Sequence, residues 1–551
     1  MSGGRAVSSY KTVRAERWLF TVRATLGGWA NGVDDSSTRV RDGLTSVTRG
    51  TLFLLVATFL FVALSFVSRV IIVRNISTAE WDDFSWGLTL AGLLSAFGTL
   101  GLPSAIARSI PFAHSQEERR AMVRGTLLVG VGMGTLVGAV MWSIGPYVGA
   151  RLGNSDIGLG LQFFSVAVGT SIVSNLIAAV FQGYEDVTPN ALFAQILNPL
   201  LFVVFLGVAF LPSPGLSFVE ALVAYAAACS ATLALVAVYA WRRLPRHLPA
   251  GPRAAGAFPK LLRFAVPLFV AGILGSLTGT GDTLILGAYH LPAVGAYTAS
   301  LTLARLLQVG IGAAAYIFLP VSTKFFRLGE TRSVAMIYTT VTKWMLLFSL
   351  PLFLVFFFLP SGSLGFVFGA RYTAVIAPLQ IIVLGAFVST VFGPGSSAQV
   401  AFGQTSFVAF NSFAAAVGDV GLSLWLVPTY GAVGAAIAWA SATVISSGLA
   451  VLELGILAGV HPFQSHALIP LAVTGVPVAV VLGLLHPALP LWALPALTLG
   501  LAALFVVVII ATRSIDRGDE LFLQAVEGLL GRPIPLVRRL GRGALRRRPL
   551  P

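Results

Sequence analysis

The sequence is poor in the residues that build most catalytic and metal sites. Its 551 residues include one cysteine, Cys229, so neither an intramolecular disulfide nor a cysteine-based metal site is open to it. The six histidines are scattered without metal-ligand spacing, and no metal ligand is assigned. No G-x-x-x-x-G-K-[ST] phosphate loop occurs, and no interval between apolar runs is long enough to fold as a soluble nucleotide-binding domain. An ATPase is therefore not expected, and no cofactor and no catalytic residue are assigned. The first 48 residues are polar and basic without an apolar core, so no secretory signal is read there. Charged residues make up only 10% of the chain, against about 25% in soluble globular proteins.

What the chain has instead is apolar length. It is 56% hydrophobic, with a mean hydropathy of +0.87. A helix needs about 20 apolar residues to cross a bilayer. Fourteen such runs lie near 50–73, 85–107, 124–147, 158–181, 190–211, 217–240, 264–288, 294–319, 336–359, 372–393, 405–427, 431–456, 467–486 and 490–512. The expected fold is an all-α polytopic membrane protein of fourteen transmembrane helices. The net charge of +15 is distributed by side rather than by patch. Of 36 Lys and Arg residues, 30 fall in the tails and in the loops after even-numbered spans, three fall in the opposite loops (Arg74, Arg151, Arg371), and three are intramembrane (Arg69, Arg305, Lys343). The positive-inside rule then places both termini in the cytoplasm of a multi-pass plasma-membrane protein. The basic excess thus faces anionic inner-leaflet lipid, and nucleic acid is not an expected partner. The segment GDELFLQAVEGLL followed by RRLGRGALRRR could lie on that leaflet as readily as be solvated.

The spans repeat. SRVIIVRNISTAEWDDFSW (68–86) aligns with GDTLILGAYHLPAVGAYTA (281–299), placing Arg69 on Asp282 and Phe84 on Tyr297. Pro103 and Arg108 answer to Pro320 and Lys324, Gly183 to Gly403, and Pro212 to Pro428, in order and at a nearly constant offset. The chain is therefore read as a basic N-tail (1–48), an N-lobe of spans 1–6 (49–245), a C-lobe of spans 7–12 (246–460), an extra pair of spans 13 and 14 (461–512), and an amphipathic, basic C-tail (513–551). An even number of spans per lobe makes the lobes parallel repeats, an arrangement transporters use with the substrate between the halves. The extra pair is expected to pack beside the lobes and to help form a groove for an apolar chain.

Ionisable residues inside a membrane almost always face protein or a wet cavity. Arg69 and Asp282 fall at equivalent positions in the outer third of the bilayer, Arg305 near its middle, Lys343 in the inner third, Asp419 mid-span and Glu453 near the inner end of span 12. They read either as fixed ion pairs, Arg69 with Asp282 first among them, or as a site for an anion. In the second reading Arg69, Arg305 and Lys343 bind substrate, and Asp282 and Asp419 gate or couple. Arginine suits phosphate because its planar fork donates two parallel hydrogen bonds.

SRVIIVRNISTAEWDDFSWGLTLAGLLSAFGTLGLPSAIARSIP, GDTLILGAYHLPAVGAYTASLTLARLL and AFGQTSFVAFNSFAAAVGDVGLSLWLVPTYGAVGAAIAWA together resemble the Wzx-like O-antigen and oligosaccharide flippases of the multidrug/oligosaccharidyl-lipid/polysaccharide exporter superfamily. The resemblance covers roughly residues 45 to 512 and includes the six-plus-six-plus-two layout. It implies movement of polyprenyl- or dolichyl-(pyro)phosphate-linked sugars to the outer leaflet by alternating access, beside glycan polymerase or transferase machinery. It also implies a headgroup role for Arg69 and Arg305. Asp419 stands where many relatives have Asn. Drug exporters and lipid II flippases of the same superfamily are the nearest rivals. A membrane glycosyltransferase is a further one, because Glu80-Trp81-Asp82-Asp83 imitates an acidic metal motif, although a solvated acidic turn is the plainer reading. Cysteine labelling checks the topology: the 242–263 loop and both tails should react only from the cytoplasm, and positions 80 and 156 from outside. External labelling at position 250 would overturn the assignment.

Overall fold

Three Ser-x-x-Glu sequences start helices, which accounts for much of the acid in the short loops. Ser77 and Glu80 form a reciprocal capping box, with Glu80 N donating to Ser77 Oγ at 3.2 Å and Ser77 N to Glu80 Oε2 at 2.7 Å. Ser217 and Glu220 repeat it at 3.2 and 2.8 Å, and Ser115 caps Glu118 at 3.1 Å. Each cap satisfies backbone N–H groups that a helix start leaves orphaned. The computed structural model describes residues 33–211, 215–247, 256–327, 331–373, 376–463, 465–485, 490, 492–512, 514 and 519. The N-tail up to residue 32, residues 248–255 and the expected leaflet-bound tail beyond 519 lie outside the described residues.

Within those limits the regular structure is helical throughout. The first half holds α1 (Val33–Asn75), α2 (Thr78–Gly98), α3 (Leu102–Phe112), α4 (Gln116–Leu152), α5 (Ser155–Gly183), a π-helix (Pro189–Leu197) running into α6 (Asn198–Ala209), and α7 (Phe218–His247). The second holds α8 (Ala257–His290), α9 (Val294–Arg327), α10 (Thr331–Phe358), α11 (Pro360–Phe368), α12 (Ile376–Val391), α13 (Gly395–Ala401), α14 (Thr405–Tyr430) and α15 (Ala432–Ala458). Helices α16 (Ser465–Leu485) and α17 (Ala493–Ala511) follow. A helix thus occupies each of the fourteen expected positions, and twelve among the described residues are long and apolar enough to cross a membrane. Residues Leu54–Pro551 form one unit, and Met1–Phe53 form another. The large apolar side chains that remain exposed, such as Leu128, Trp241, Trp425 and Ile456, suit a lipid-facing surface.

Two of the expected spans are not simple helices. Span 2 breaks between α2 and α3, where Leu100 and Gly101 take positive φ values of 52° and 69°. Pro103 then sits in the first turn of α3, where its missing N–H is harmless. Gly101 also lies against α8: a Cβ there would come within 2.5 Å of Ala265 O and Phe269 N. In span 5, Pro199 has no N–H to give and its ring crowds the carbonyl four residues earlier, and the preceding turns widen into the π-helix. Helices α16 and α17 pack on each other and on α10. Gly475 faces Leu350 and Gly483 faces Phe358 in that packing.

The halves meet at the end of the bundle that is poor in Lys and Arg. Thr298 Oγ1 donates to Ser85 Oγ at 3.2 Å, and Gly295 N donates to Asp82 Oδ1; each pair is separated by 213 residues. That number is the offset of the repeat, so residues equivalent in the two halves touch, which happens only beside the axis that relates them. Trp81 Nε1 donates to Gly295 O at 3.1 Å and Trp86 Nε1 to Leu284 O at 3.4 Å. Around them Arg371 reaches from the second half to Ile76 O at 2.8 Å, while Arg74 reaches back to Val367 O at 2.9 Å and to Phe366 O. Two of the three basic residues at this end therefore tie the halves together through backbone carbonyls. The other end has its own contacts. Arg108 stacks over Phe264 at 5.0 Å, and Phe258 covers Gly125.

The seal needs glycine where the tryptophans land. A Cβ on Gly287 would lie 1.9 Å from Trp86 Cδ1, and one on Gly295 would lie 2.4 Å from Trp81 Cδ1. Overpacking of this kind costs about 1–3 kcal/mol, or roughly 5- to 150-fold in a two-state population. In a Cys229→Ser background, a cysteine introduced by Arg305→Cys should react slowly with an impermeant thiol reagent applied from the basic-poor face. Adding Gly287→Ala should accelerate that reaction at least fivefold.

Candidate functional site between the two halves

Helices α1, α7, α8, α9 and α14 bring one group of polar side chains together. On α9, Thr298, Thr302 and Arg305 follow the i, i+4, i+7 spacing of a single helix face. Thr302 Oγ1 accepts from Arg69 Nη1 of α1 at 2.7 Å and donates to Thr298 O at 2.7 Å, so the hydroxyl relays α9's backbone carbonyl to the guanidinium. Arg69 is half-buried and lies within electrostatic range of Arg305 and of Tyr225 on α7. Arg305 is exposed, and no hydrogen bond holds its guanidinium among the described residues. Two cations from opposite halves thus share one region, and among the described residues neither is in a salt bridge.

The acids are placed differently. Asp282 on α8 is fully buried; Thr283 N donates to its Oδ1 at 2.7 Å, and Tyr297 OH donates to its Oδ2. Arg305 is in electrostatic range of Asp282 without bonding it. Asp419 on α14 is also fully buried, within range of Asp282 and Tyr297, and neither of its carboxyl oxygens has a hydrogen-bond partner among the described residues. Burying an ionised carboxylate unpartnered is prohibitively costly, so Asp419 demands a proton or a cation.

The expected contact between Arg69 and Asp282 is not made here. Arg69 is turned to Thr302, and Tyr297 occupies Asp282. The structure does bring Arg69, Arg305, Asp282 and Asp419 into one neighbourhood. It does not bring Lys343 there. On α10, the Lys343 ammonium bonds Asp519 Oδ2 at 2.5 Å and Ser514 O at 2.7 Å, and Trp344 Nε1 donates to Asp519 Oδ1 at 2.9 Å. Lys343 and Asp519 are both buried, so in this conformation Lys343 is bonded to the chain after α17 and lies apart from the arginines. Thr302 and Tyr297, which orient the cluster, were not singled out from sequence as site residues. The one signal for Thr302 is its spacing of three from Arg305. The acidic turn is committed as well: Glu80 to its cap, Asp82 to Gly295, and Asp83 to Asn154 Nδ2 at 2.9 and 3.1 Å. Among the described residues no three His, Cys, Asp or Glu side chains group to hold a metal ion.

A family model described as polysaccharide biosynthesis protein matches residues 47–326, which include Arg69, Asp282, Tyr297 and Arg305. The chain belongs to that family. Its fold is shared with solved transporters at low identity. A lipid II flippase, MurJ, in an inward closed conformation aligns with a TM-score of 0.67 at 12% identity, covering 83% of this chain and 98% of that one. An inward-facing multidrug MATE transporter of the multidrug/oligosaccharidyl-lipid/polysaccharide superfamily aligns at 0.58 and 14% identity, covering 74% and 98%. A superfamily transporter from Pyrococcus furiosus, described as having a binding pocket of reverse polarity, aligns at 0.52 and 14%, covering 75% and 96%. No curated protein matches the chain. Lys343 and Asp419 lie beyond the segment that carries the family match.

A buried ion pair that loses one partner leaves a stranded charge, whereas replacing both partners by apolar groups is often neutral. Lys343→Ala should lower stability by about 3–5 kcal/mol. The double variant Lys343→Met, Asp519→Leu should recover most of that loss in detergent thermal unfolding.

Proposed function

We propose that this member of the polysaccharide biosynthesis family is a flippase that moves an anionic lipid-linked oligosaccharide from the cytoplasmic to the outer leaflet by alternating access. The sugar is carried on a polyprenyl or dolichyl (pyro)phosphate, and the product feeds cell-surface polysaccharide or glycoprotein assembly. The observation that carries this reading is the pair Arg69 and Arg305, one from each half, close enough to repel and, among the described residues, with no carboxylate bonded to either. Two such guanidiniums inside a membrane protein are stable next to water or next to an anion. Their fork geometry suits a phosphate or pyrophosphate better than a carboxylate-free drug cation, which the same charges would repel.

The remaining parts take roles around that pair. The charge count puts the Trp81–Gly295 and Trp86–Leu284 contacts at the outer face, so the chain is sealed outside in this conformation. A headgroup bound by both arginines draws on each half at once and favours arrangements in which the halves close around it. Moving a two-state equilibrium from 1:99 to 99:1 takes about 5.5 kcal/mol of differential binding, within reach of two bidentate contacts. Asp282 and Asp419 supply the coupling or gating charge, since Asp419 has no hydrogen-bond partner among the described residues. Helices α16 and α17, against α10, offer an apolar flank for the lipid carrier outside the wet interior. Lipid II is the nearest alternative cargo, because its flippase shares this fold over most of both chains.

Deleting the gene should cause a lipid-linked glycan to accumulate in the inner leaflet. Arg69→Ala and Arg305→Ala should each abolish transfer in a reconstituted flipping assay while the protein still reaches the membrane. Arg305→Lys should restore it only in part, because an ammonium cannot grip phosphate bidentately. Unchanged flipping by the Arg69→Ala, Arg305→Ala double variant would move the headgroup site elsewhere.

A further inference from the structure

A second polar centre lies at the basic end of the second half, outside the arginine cluster. Glu453 near the end of α15 accepts from two amides on the same oxygen: Gln399 Nε2 of α13 and Asn411 Nδ2 of α14, the latter at 2.7 Å. Gln399 is 0% exposed and Asn411 2%. With both nitrogens turned to Glu453, the carbonyl oxygens Gln399 Oε1 and Asn411 Oδ1 are buried without a hydrogen-bond partner among the described residues, as is Gln404 Oε1. Gln404 belongs to the same turn, its N–H donating to Gln399 O at 2.8 Å. Leaving a buried acceptor unmet costs about 1–3 kcal/mol. Here the amide oxygens of Gln399 and Asn411, the two side chains that hold the carboxylate, incur that cost, and no donor meets either among the described residues.

We propose that Glu453, Gln399 and Asn411 form a binding site for a monovalent alkali cation that joins α13, α14 and α15. The ligand set is all oxygen, which suits hard cations and not the transition metals. A single carboxylate balances one positive charge, whereas calcium sites take six to eight oxygens and draw on several carboxylates. Turning an amide end for end exchanges its nitrogen and oxygen, so the same two side chains that hydrogen-bond the carboxylate offer it a cation's remaining ligands. Glu453 is only half-buried, which leaves an approach for the ion. Asn411 and Asp419 are eight positions apart on α14, about 12 Å along a helix, so this centre is distinct from the Asp282–Asp419 pair. The proposal does not depend on the cargo, and its test does not use transport.

The test is thermal unfolding of the purified full-length protein in sodium, potassium or choline chloride at equal ionic strength. A ligand that binds only the folded state stabilises it in a saturable, concentration-dependent way. Sodium or potassium should raise the unfolding temperature over choline with a hyperbolic dose response. Glu453→Gln should abolish that response. Gln399→Leu, which keeps the carboxylate, should raise its midpoint concentration roughly tenfold or more. In an Asp419→Asn background, which removes the other unpartnered buried acid, the response should remain and should still be lost on adding Glu453→Gln. A wild-type protein indifferent to the alkali cation would overturn the proposal. So would a response that survives Glu453→Gln, or one that disappears in Asp419→Asn and persists in Gln399→Leu.

Discussion

Two guanidinium groups cannot share a low-dielectric space unless water, hydrogen bonds or an anion offset their repulsion. Arg69 and Arg305 meet that condition unequally. Arg69 is half-buried and leans on Thr302, which passes on the Thr298 carbonyl. Among the described residues Arg305 has no such support and stays exposed. In the proposed function that exposure is to a wet interior, and a wet interior in a membrane protein calls for a tight closure at one end or the other. The closure found here is built from the shortest means available: two tryptophans laid on two glycines, and two arginines crossing to carbonyl groups of the opposite half. The seal and the charge pair are thus parts of one constraint.

The repeat explains why the seal sits where it does, and also why the interior is not symmetrical. Beside the axis, equivalent residues touch, and such contacts work only when both members can be polar and small or one can be backbone. Ser85 with Thr298 and Asp82 with the Gly295 N–H satisfy that. Away from the axis the halves have diverged. The first carries Arg69 and Phe84 where the second carries Asp282 and Tyr297. The hydroxyl that distinguishes Tyr297 from Phe84 is the group that takes up Asp282. Because Asp282 is held on its own side, it is not available to neutralise Arg69. A symmetrical scaffold therefore presents an asymmetrical interior, with cations from both halves and the acids confined to one.

This divergence also marks what the sequence could and could not disclose. Hydropathy and the side-to-side charge bias made the helix positions legible, because each rests on a run of neighbouring residues. The break in span 2 was announced by Gly101 and Pro103 within a few positions. The repeat correctly aligned Arg69 with Asp282, but alignment gives equivalence, not contact, and one hydroxyl on a neighbouring helix decided the partner. Lys343 was read as a substrate ligand because its partner, Asp519, lies 176 positions later, past the last apolar run. No periodicity connects residues so far apart. Glu453 was visible as a charge near a span end, yet its two amides come from separate helices, and only the fold gathers them.

Charge inside the helical bundle falls into two kinds, separated by whether the described chain supplies the partner. Lys343 has a carboxylate, a carbonyl and a neighbouring indole that shares the same acid, so it is fully accounted for by the folded chain. Such a pair contributes little net stability and holds an element in place. Among the described residues, exposed Arg305 and buried Asp419 have no bonded partner, and for Asp419 that means uncompensated desolvation. Folding alone gives no reason to keep a group whose desolvation it leaves uncompensated, since an apolar residue of similar size would serve the packing better. In the proposed function the missing partner comes from outside the chain: an anion for the arginines, and a proton or cation for the acid. On that proposal the charges the fold itself leaves without a partner are the ones that serve transport.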